Sequence, residues 1–384
     1  MPGLRLLYVA PDQRVPGTLG GSVHVEAVAR GLARLGHDVH VATQSGGAWP
    51  SGPVHWHAMR PPFSCQQLRW AHAGAVARLA RQVRADLIME RYYNFGGEGV
   101  LAADRLGLPA VLEVNAPIID FPGSGKARLD RTLLIRPMER WRNRLCRMTS
   151  LFVTPTADIL PSSVDRQRVL EVEWGADVNH FRPGAKGPVP FARDPSRVIA
   201  VFAGAFRSWH GVGHLAASLA RLHAAGDQRF GAVFIGDGPD RAAAERGVRG
   251  VPGITFTGAI AHDLLPACLT QADVGVAPFD ALRHRPLRLG FYWSPLKIFE
   301  YMAVGLPVVA PALPRLQRLV RHGEEGLLYD PEDPRGIDAA LVALADPALR
   351  ARMGRAARAR VVRDYSWDAH CRALDARFRS LIHR

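Results

Sequence analysis

The chain has 384 residues, of which 48% are apolar and 22% are charged, a composition that is ordinary for a globular protein. At about 150 residues per domain, this length favours two or three domains and excludes a short peptide-like module. The formal net charge of +14 comes almost entirely from arginine, since lysine occurs only at positions 126, 186 and 297, and it predicts attraction to anions such as nucleotides and diphosphates.

The first residues predict neither a signal peptide nor a membrane span. The apolar run Leu4–Ala10 is too short for the core of a signal peptide, and no apolar run approaches the roughly 18 residues of a spanning helix. The four cysteines are far apart and form no CxxC pair, which argues against a zinc–thiolate site and a disulfide framework. We therefore expect a cytoplasmic protein.

The first half of the chain alternates between predicted strands and helices. Apolar residues recur at helical spacing from Val25 to Leu35, and Gly36 is a typical helix end. Short apolar runs predict strands at Leu4–Val9, Val39–Thr43, Asp86–Met89 and Ala110–Val114. Such a βαβ series predicts a parallel sheet with helices on both faces.

A change in composition divides the chain. Residues 184–197 are rich in proline and glycine and predict a linker between a first domain, 1–183, and a second, 198–365. Residues 366–384 predict a final helix that returns to the first domain. The strand pattern restarts after the linker, with strands predicted at Val198–Ala203, Val233–Ile235, Val274–Ala277 and Val308–Ala310. Two such domains would form a cleft, and open α/β sheets bind ligands at the carboxyl ends of their strands.

The most informative segment is SPLKIFEYMAVG, which begins at Ser294. Ser294 is a good helix N-cap and Pro295 suits the first helical position. The backbone amides near Leu296 and Lys297, together with the Lys297 ammonium, predict an anion site at the start of this helix. Glu300 lies on the same face and could accept hydrogen bonds from two ribose hydroxyls. The alternative is a capped surface helix with an ion pair between the lysine and the glutamate.

This segment resembles the donor site of the family 4 retaining glycosyltransferases, which have the GT-B fold of two Rossmann-like domains facing each other across a cleft. Many members carry a Glu-x7-Glu motif here. Glu300 matches the second glutamate, which the resemblance assigns to the ribose, whereas Tyr292 occupies the first position. A subgroup that reads SPLKxFEYMA also lacks the first glutamate, and this chain matches that subgroup.

Further segments extend the resemblance over nearly the whole chain. Gly20 and Gly21 resemble the family's amino-terminal glycine loop, which lies against the donor phosphates and the acceptor. Asn115 takes the place where many members have a histidine beside the transferred sugar. The segment from Gly204 to Gly211 resembles a phosphate clamp of the form G-R-x4-K-G, in which Ala205 replaces the arginine and His210 the lysine; we expect Arg207 to supply the missing charge.

The resemblance implies a retaining glycosyltransferase that moves a sugar from a nucleoside-diphosphate sugar to a hydroxyl acceptor. Arg207, His210 and Lys297 would stabilise the charge that builds on the diphosphate. Gly20, Gly21 and Asn115 would border the sugar and the acceptor. The loops 120–131 and 282–293 would select the sugar and the acceptor.

Two other functions remain open as alternatives. A nucleotide-sugar epimerase of the same fold would release a sugar nucleotide without any acceptor. A nucleic-acid-binding protein would need a basic patch with interleaved aromatic residues and a known module, and the sequence has neither.

We predict no metal site and no cofactor beyond the donor. Aspartates never occur two residues apart, so a DxD site is absent from the sequence, and we find no histidine–carboxylate cluster at metal-binding spacing. Residues Arg136–Arg147 combine arginines with Met138, Trp141 and Leu145 at helical spacing. This pattern suits a basic helix on an anionic membrane, but packing against the first domain's sheet is the favoured interpretation.

Overall fold

A computed structural model describes residues 2–17, 19–118, 123–281 and 290–383. Contacts divide the chain into two compact units. The first comprises Met1–Trp174, Tyr292–Ser294 and Trp367–Arg384, and the second comprises Gly175–Phe291 and Pro295–Ser366. Each unit contains one parallel sheet.

The first unit has a seven-stranded sheet in the order β3-β2-β1-β4-β5-β6-β7, and every pairing is parallel. Its strands are β1 (Arg5–Val15), β2 (Asp38–Ser45), β3 (Val54–Ala58), β4 (Leu87–Arg91), β5 (Ala110–Glu113), β6 (Leu151–Thr154) and β7 (Val169–Glu171). The helices between them are α1 (Gly20–Arg34), α2 (Ala73–Gln82), α3 (Glu98–Leu106), α4 (Gly125–Leu133) and α5 (Pro137–Met148).

The second unit has a six-stranded parallel sheet in the order β10-β9-β8-β11-β12-β13. Its strands are β8 (Val198–Ala203), β9 (Phe230–Ile235), β10 (Ile254–Gly258), β11 (Val274–Val276), β12 (Val308–Pro311) and β13 (Gly326–Tyr329). Its helices are α6 (Val212–Ala224), α7 (Arg241–Gly247), α8 (Leu265–Leu269), α9 (Leu296–Ala303), α10 (Pro314–Leu319), α11 (Gly336–Ala343) and α12 (Pro347–Asp364).

The last helix, α13 (Trp367–Ile382), belongs to the first unit and packs against α1. The Cys371 thiol lies 3.7 Å from the carbonyl oxygen of Val28, and the His370 imidazole bonds to the carbonyl oxygen of Glu173 at 2.7 Å. Among the described residues, no helix combines the length and the apolar character that crossing a bilayer requires.

The predicted parallel α/β architecture is confirmed in both units. The central strands were predictable because both of their faces are buried, which gives continuous apolar runs such as Leu6–Ala10 of β1. The outer strand β3 was missed because it alternates polar and apolar residues at the sheet edge. The predicted glycine loop is also corrected, because Gly20 and Gly21 already form the first turn of α1.

Candidate active site

The centre of the candidate site in the second unit is Lys297, in the first turn of α9. Its side chain is buried, and Nζ has no hydrogen-bond partner among the described residues. The ammonium lies over two aromatic rings, 4.1 Å from the centroid of Phe202 and 5.2 Å from that of Phe279. Desolvation lowers the pKa of Lys297 to about 7, although Glu300 acts in the opposite direction. This buried amine therefore has no hydrogen-bonding acceptor among the residues that the structure describes, which makes it a candidate anion-binding group.

The loop after β8 brings backbone close to this ammonium. Gly204 has a φ of +135°, and a β-carbon at this position would lie 3.1 Å from Lys297 Nζ. Both facts favour glycine, because a side chain here would be strained and would press on the ammonium. The backbone of this loop therefore lies directly beside the Lys297 side chain.

The same loop carries the two other predicted cations. The guanidinium of Arg207 lies over the ring of Trp209 at 5.4 Å. His210 Nδ1 lies 2.6 Å from the carbonyl oxygen of Ala205, and its ring is 6.0 Å from that of Phe279. Phe279 thus contacts both His210 and Lys297. Within the second unit, the two residues predicted from separate motifs share one aromatic neighbour.

The predicted capping role of Ser294 is wrong. The N-cap of α9 is Pro295, the helix begins at Leu296, and no side chain caps it. The Ser294 hydroxyl instead donates to the Glu173 carboxylate at 2.7 Å and accepts from the backbone N–H of Trp174 at 3.1 Å. The hydroxyl is therefore committed to the segment that ends the first unit. The predicted helix end is confirmed, since Gly305 follows the C-cap with a φ of +83°.

Glu300, one turn beyond Lys297, has a histidine partner that the sequence analysis missed. Its Oε1 lies 3.6 Å from Nε2 of His262. The contact with Glu300 raises the pKa of His262 against the opposing effect of burial. The Glu300 carboxylate thus favours the protonated form of His262, and the two side chains form a pair within the second unit. No motif pointed to it, because it follows β10, a strand that the sequence did not reveal.

In the first unit, Asn115 lies two residues beyond the end of β5. Its Oδ1 accepts a hydrogen bond from the Trp174 indole at 2.9 Å. Its Nδ2 is buried without a hydrogen-bond partner among the described residues. A carboxamide held by its oxygen presents its N–H₂ to a ligand oxygen, so the geometry suits a donor toward a sugar or an acceptor hydroxyl.

A buried ionic network supports this region. Glu113, the last residue of β5, makes a close contact with His24 Nε2 and accepts a hydrogen bond from the Tyr8 hydroxyl at 2.5 Å. Arg91 Nη1 lies 3.7 Å from the same carboxylate. The Trp174 ring stacks on His24 with centroids 4.3 Å apart, so the network connects to the partner of Asn115. The side chains of His24, Tyr8 and Arg91 surround the Glu113 carboxylate and fix its orientation.

The charge state of this network follows from its geometry. Burial alone would raise the pKa of Glu113, but His24, Arg91 and the Tyr8 hydroxyl hold it at about 2. Burial lowers the pKa of His24 despite the adjacent carboxylate. The Glu113 carboxylate is therefore ionised and accepts from His24 and Tyr8, with Arg91 adding a positive group beside it.

Gly20 and Gly21 are the first two residues of α1, the helix that also carries His24. A side chain on Gly21 would collide with the side-chain amide of Gln13. The contact is with the far end of a flexible side chain, which can move aside, so it does not by itself require glycine at this position. The two residues place backbone amides at the helix start, as an anion-facing role would need.

Folding brings together histidines and carboxylates that the spacing along the sequence did not indicate as a metal site. The structure brings together two such groups, one made of His180, His262 and Asp263 and one made of Asp38, His40 and His55. The second group had a sequence signal in the alternating Asp38-x-His40 and His55-x-His57 patterns. The pairing of their strands, which brings them together, was not predicted.

Comparisons with known proteins identify the family to which the chain belongs. A family model described as "Glycosyltransferase Family 4" matches residues 19–169, and one described as "Glycosyl transferases group 1" matches residues 197–346. The chain belongs to this glycosyltransferase family. Its enzyme class is therefore that of a glycosyltransferase in carbohydrate biosynthesis, and the predicted family is confirmed.

Two sequence relatives and one solved structure show how far the similarity extends along the chain. The D-inositol 3-phosphate glycosyltransferase of Acidothermus cellulolyticus is 27% identical, covering 92% of this chain and 84% of that protein. The MMP alpha-(1->4)-mannosyltransferase of Mycolicibacterium hassiacum is also 27% identical, with coverage of 91% and 92%. The structure of Anabaena HepE in complex with UDP-glucose superposes with a TM-score of 0.70 at 16% identity, covering 98% and 100% of the two chains. The predicted GT-B fold is confirmed.

Other predicted regions of the glycosyltransferase have separate outcomes. Residues 119–122 and 282–289, within or beside the loops expected to select sugar and acceptor, lie outside the described residues. In α5, Met138 and Leu145 are buried, and the Trp141 indole donates to the carbonyl oxygen of Gly96 at 3.1 Å. The favoured interpretation of this segment as a core-packing helix is confirmed.

Proposed function

We propose that this glycosyltransferase transfers a sugar from a nucleoside-diphosphate sugar to a hydroxyl acceptor with retention of the anomeric configuration. The acceptor class would be a polysaccharide, a glycolipid or a natural product. The observation that carries the proposal is the buried Lys297 ammonium, which has no acceptor within the described part of the chain and lies beside the loop that holds Arg207 and His210. A diphosphate supplies the anion that such a group lacks.

In this mechanism the second unit stabilises the leaving group. Negative charge grows on the diphosphate as the bond to the anomeric carbon breaks, and Lys297, Arg207 and His210 meet that charge without reorganising. Pro295 and Leu296 place the start of α9 beside it, with Ser294 anchoring the preceding segment. UDP-glucose bound to Anabaena HepE, a protein of the same fold, supports this donor class.

The first unit contributes the groups proposed to meet the sugar and the acceptor. Asn115 would donate its buried N–H₂ to a sugar oxygen, and the Gly20–Gly21 turn would offer backbone amides. Glu113 and His24 lie behind Asn115 and keep Trp174 in place. The four free cysteines support the proposed cytoplasmic location.

Product analysis tests the reaction. Incubation with a panel of nucleoside-diphosphate sugars and hydroxyl acceptors should give a glycoside whose anomeric configuration, read by proton NMR, equals that of the donor. An inverted product would contradict retention. A sugar nucleotide isomer formed without any acceptor would instead identify the epimerase alternative.

Replacing Glu300 by alanine should weaken binding of the nucleoside diphosphate by a few kcal/mol, because hydrogen bonds to a charged group contribute about 1.5–3 kcal/mol. Isothermal titration calorimetry with the ribonucleotide and its 2′,3′-dideoxy analogue separates the causes. Wild-type protein should bind the analogue more weakly than the ribonucleotide. The Glu300→Ala variant should bind the two ligands with about equal affinity. Equal losses in both proteins would show that Glu300 does not hold the ribose. Glu332→Ala, an exposed change in the same unit, is the control.

Turnover should survive EDTA, because protein cations replace the metal ion in the proposed stabilisation of the diphosphate. The measurement is the initial rate after chelation and gel filtration, at a temperature well below unfolding. Loss of turnover that Mg²⁺ or Mn²⁺ restores would contradict a metal-independent reaction.

A further inference from the structure

The outer edge of the first unit's sheet carries four potential metal ligands on one face. Strands β2 and β3 pair in parallel with His40 opposite His55 and Ala42 opposite His57. Side chains two residues apart on a strand lie on the same face, so Asp38 joins His40 on β2 and His57 joins His55 on β3. The opposite face of these strands carries Val39, Val41 and Val54, which are buried.

Three of these side chains converge at the separation that a bound ion requires. Asp38 Oδ1 lies 3.3 Å from His40 Nε2 and 3.4 Å from His55 Nε2. The two imidazoles stack with centroids 4.6 Å apart, which directs both Nε2 atoms toward the same carboxylate. Ligand atoms bound tetrahedrally to zinc at about 2.0–2.1 Å lie about 3.3–3.5 Å from one another. Both observed distances match this spacing.

The fourth side chain is placed to orient one of the ligands. His57 Nε2 lies 3.0 Å from His40 Nδ1. Histidines that bind metals commonly donate their other ring N–H to a fixed acceptor, which sets the tautomer and leaves Nε2 free for the ion.

Exposure of the group allows an ion to enter. The side chain of His40 is 12% exposed, whereas those of Asp38 and His55 are 46% and 59% exposed. One ligand is thus anchored in the sheet, and the other two face solvent. Three protein ligands leave a fourth position for water.

We propose that Asp38, His40 and His55 bind one divalent transition-metal ion of the zinc class, with His57 positioning His40. Two imidazoles and one carboxylate suit zinc, nickel or cobalt better than magnesium or calcium, which prefer oxygen ligands. The ion ties the edge strand β3 to β2, so it stabilises the first unit and takes no part in sugar transfer. The other group contains His262, the partner of Glu300, and belongs to the candidate active site.

Zinc titration of the full chain tests this proposal. The protein is prepared without a histidine tag, stripped with EDTA and titrated with Zn²⁺ by calorimetry, with Co²⁺ absorption in the visible as a second probe. Wild-type protein should bind an ion that raises Tm and yields the visible bands of low-coordinate Co²⁺. His57→Ala should weaken binding about 10- to 100-fold, as expected for a residue that orients a ligand. His55→Gln, which removes a ligand, should weaken it more.

Controls assign the ion to this group. His383→Gln changes an exposed histidine at the end of the chain and should leave Zn²⁺ affinity unchanged. Metal-free His55→Gln should unfold at the temperature of metal-free wild type, which shows that the variant folds. The proposal is wrong if wild-type protein binds no stoichiometric Zn²⁺, if His55→Gln binds as tightly as wild type, or if His262→Gln alone abolishes binding.

Discussion

Replacing Lys297 by methionine is expected to lower kcat by about 10²- to 10³-fold while changing the KM for the donor much less. The charge on the diphosphate is greatest in the transition state, so a fixed ammonium stabilises that state more than the bound donor. Lys297→Arg should rescue only in part, because a planar guanidinium does not fit the space of an ammonium between Phe202 and Phe279. Steady-state kinetics with saturating acceptor measures both constants.

The lowered pKa of Lys297 gives this prediction a second readout. With a pKa of about 7, much of the free enzyme is neutral at Lys297 above that pH, and a bound diphosphate favours the charged form. At pH 8, the binding of each nucleotide should therefore be accompanied by the uptake of as much as one proton by Lys297. The affinity for the nucleotide should fall by up to tenfold per pH unit above pH 7. Calorimetry in buffers of different ionisation enthalpy measures this uptake, which Lys297→Met should abolish.

Stability separates a functional from a structural role for Lys297. The pKa lies below its unfolded value of about 10.5, so the unfolded chain binds more protons between these two values and stability rises with pH there. Lys297→Met should consequently be more stable than wild type by up to a few kcal/mol near pH 7, with the difference shrinking toward pH 10. Lys186→Met, an exposed change in the same unit, is the matched control. If Lys297→Met kept full turnover, or if it failed to fold, Lys297 would not be a functional residue of the site.

Replacing Glu113 by glutamine is expected to destabilise the first unit by about 3–5 kcal/mol, the usual effect of removing one partner from a buried ion pair. Arg91 would lose the Glu113 carboxylate and keep only Asp12, 3.3 Å from its Nε, and the neutral amide could not accept equally from His24 and Tyr8. Urea-induced unfolding followed by circular dichroism measures the loss, and Glu332→Gln serves as the exposed control.

The loss of folding stability at acid pH provides a second test of the role of Glu113. The folded-state pKa of Glu113 is about 2, below the unfolded value of about 4.5, so its contribution is complete above pH 4.5 and disappears as pH falls toward 2. Wild-type protein should lose stability across this window more steeply than Glu113→Gln. If the two proteins lost stability in parallel, Glu113 would not be the ionised centre of the network.

The sequence predicted those parts of the molecule that depend on local pattern. Strand β8 and the helix around Lys297 follow from apolar runs and from proline and glycine positions, and residue types within one motif marked Glu300 as a candidate ribose ligand. The burial of Lys297 between Phe202 and Phe279 could not be predicted, since it depends on strands that are adjacent only after folding. The same dependence on contacts formed only in the folded chain explains the other site residues that the sequence did not predict.

Contacts across long sequence separations account for those omissions. His24 meets Glu113 across 89 residues, and no local spacing indicates that contact. Ser294 was misassigned because the capping rule is local, whereas Glu173, 121 residues away, takes its hydroxyl. His262 was missed because the strand before it has no continuous apolar run, since every residue of β10 is only partly buried.

The placement of α13 has a consequence for synthesis. The first unit lacks the helix that packs on α1 until Trp367 and the residues after it have left the ribosome, whereas the second unit is complete at Ser366. Translation proceeds from the amino terminus at about 5–20 residues per second, so the unit begun first is finished last. During that interval His24, Val28 and Gly31 of α1 lack the α13 residues that they contact in the folded protein, and a nascent chain released early would leave this surface uncovered.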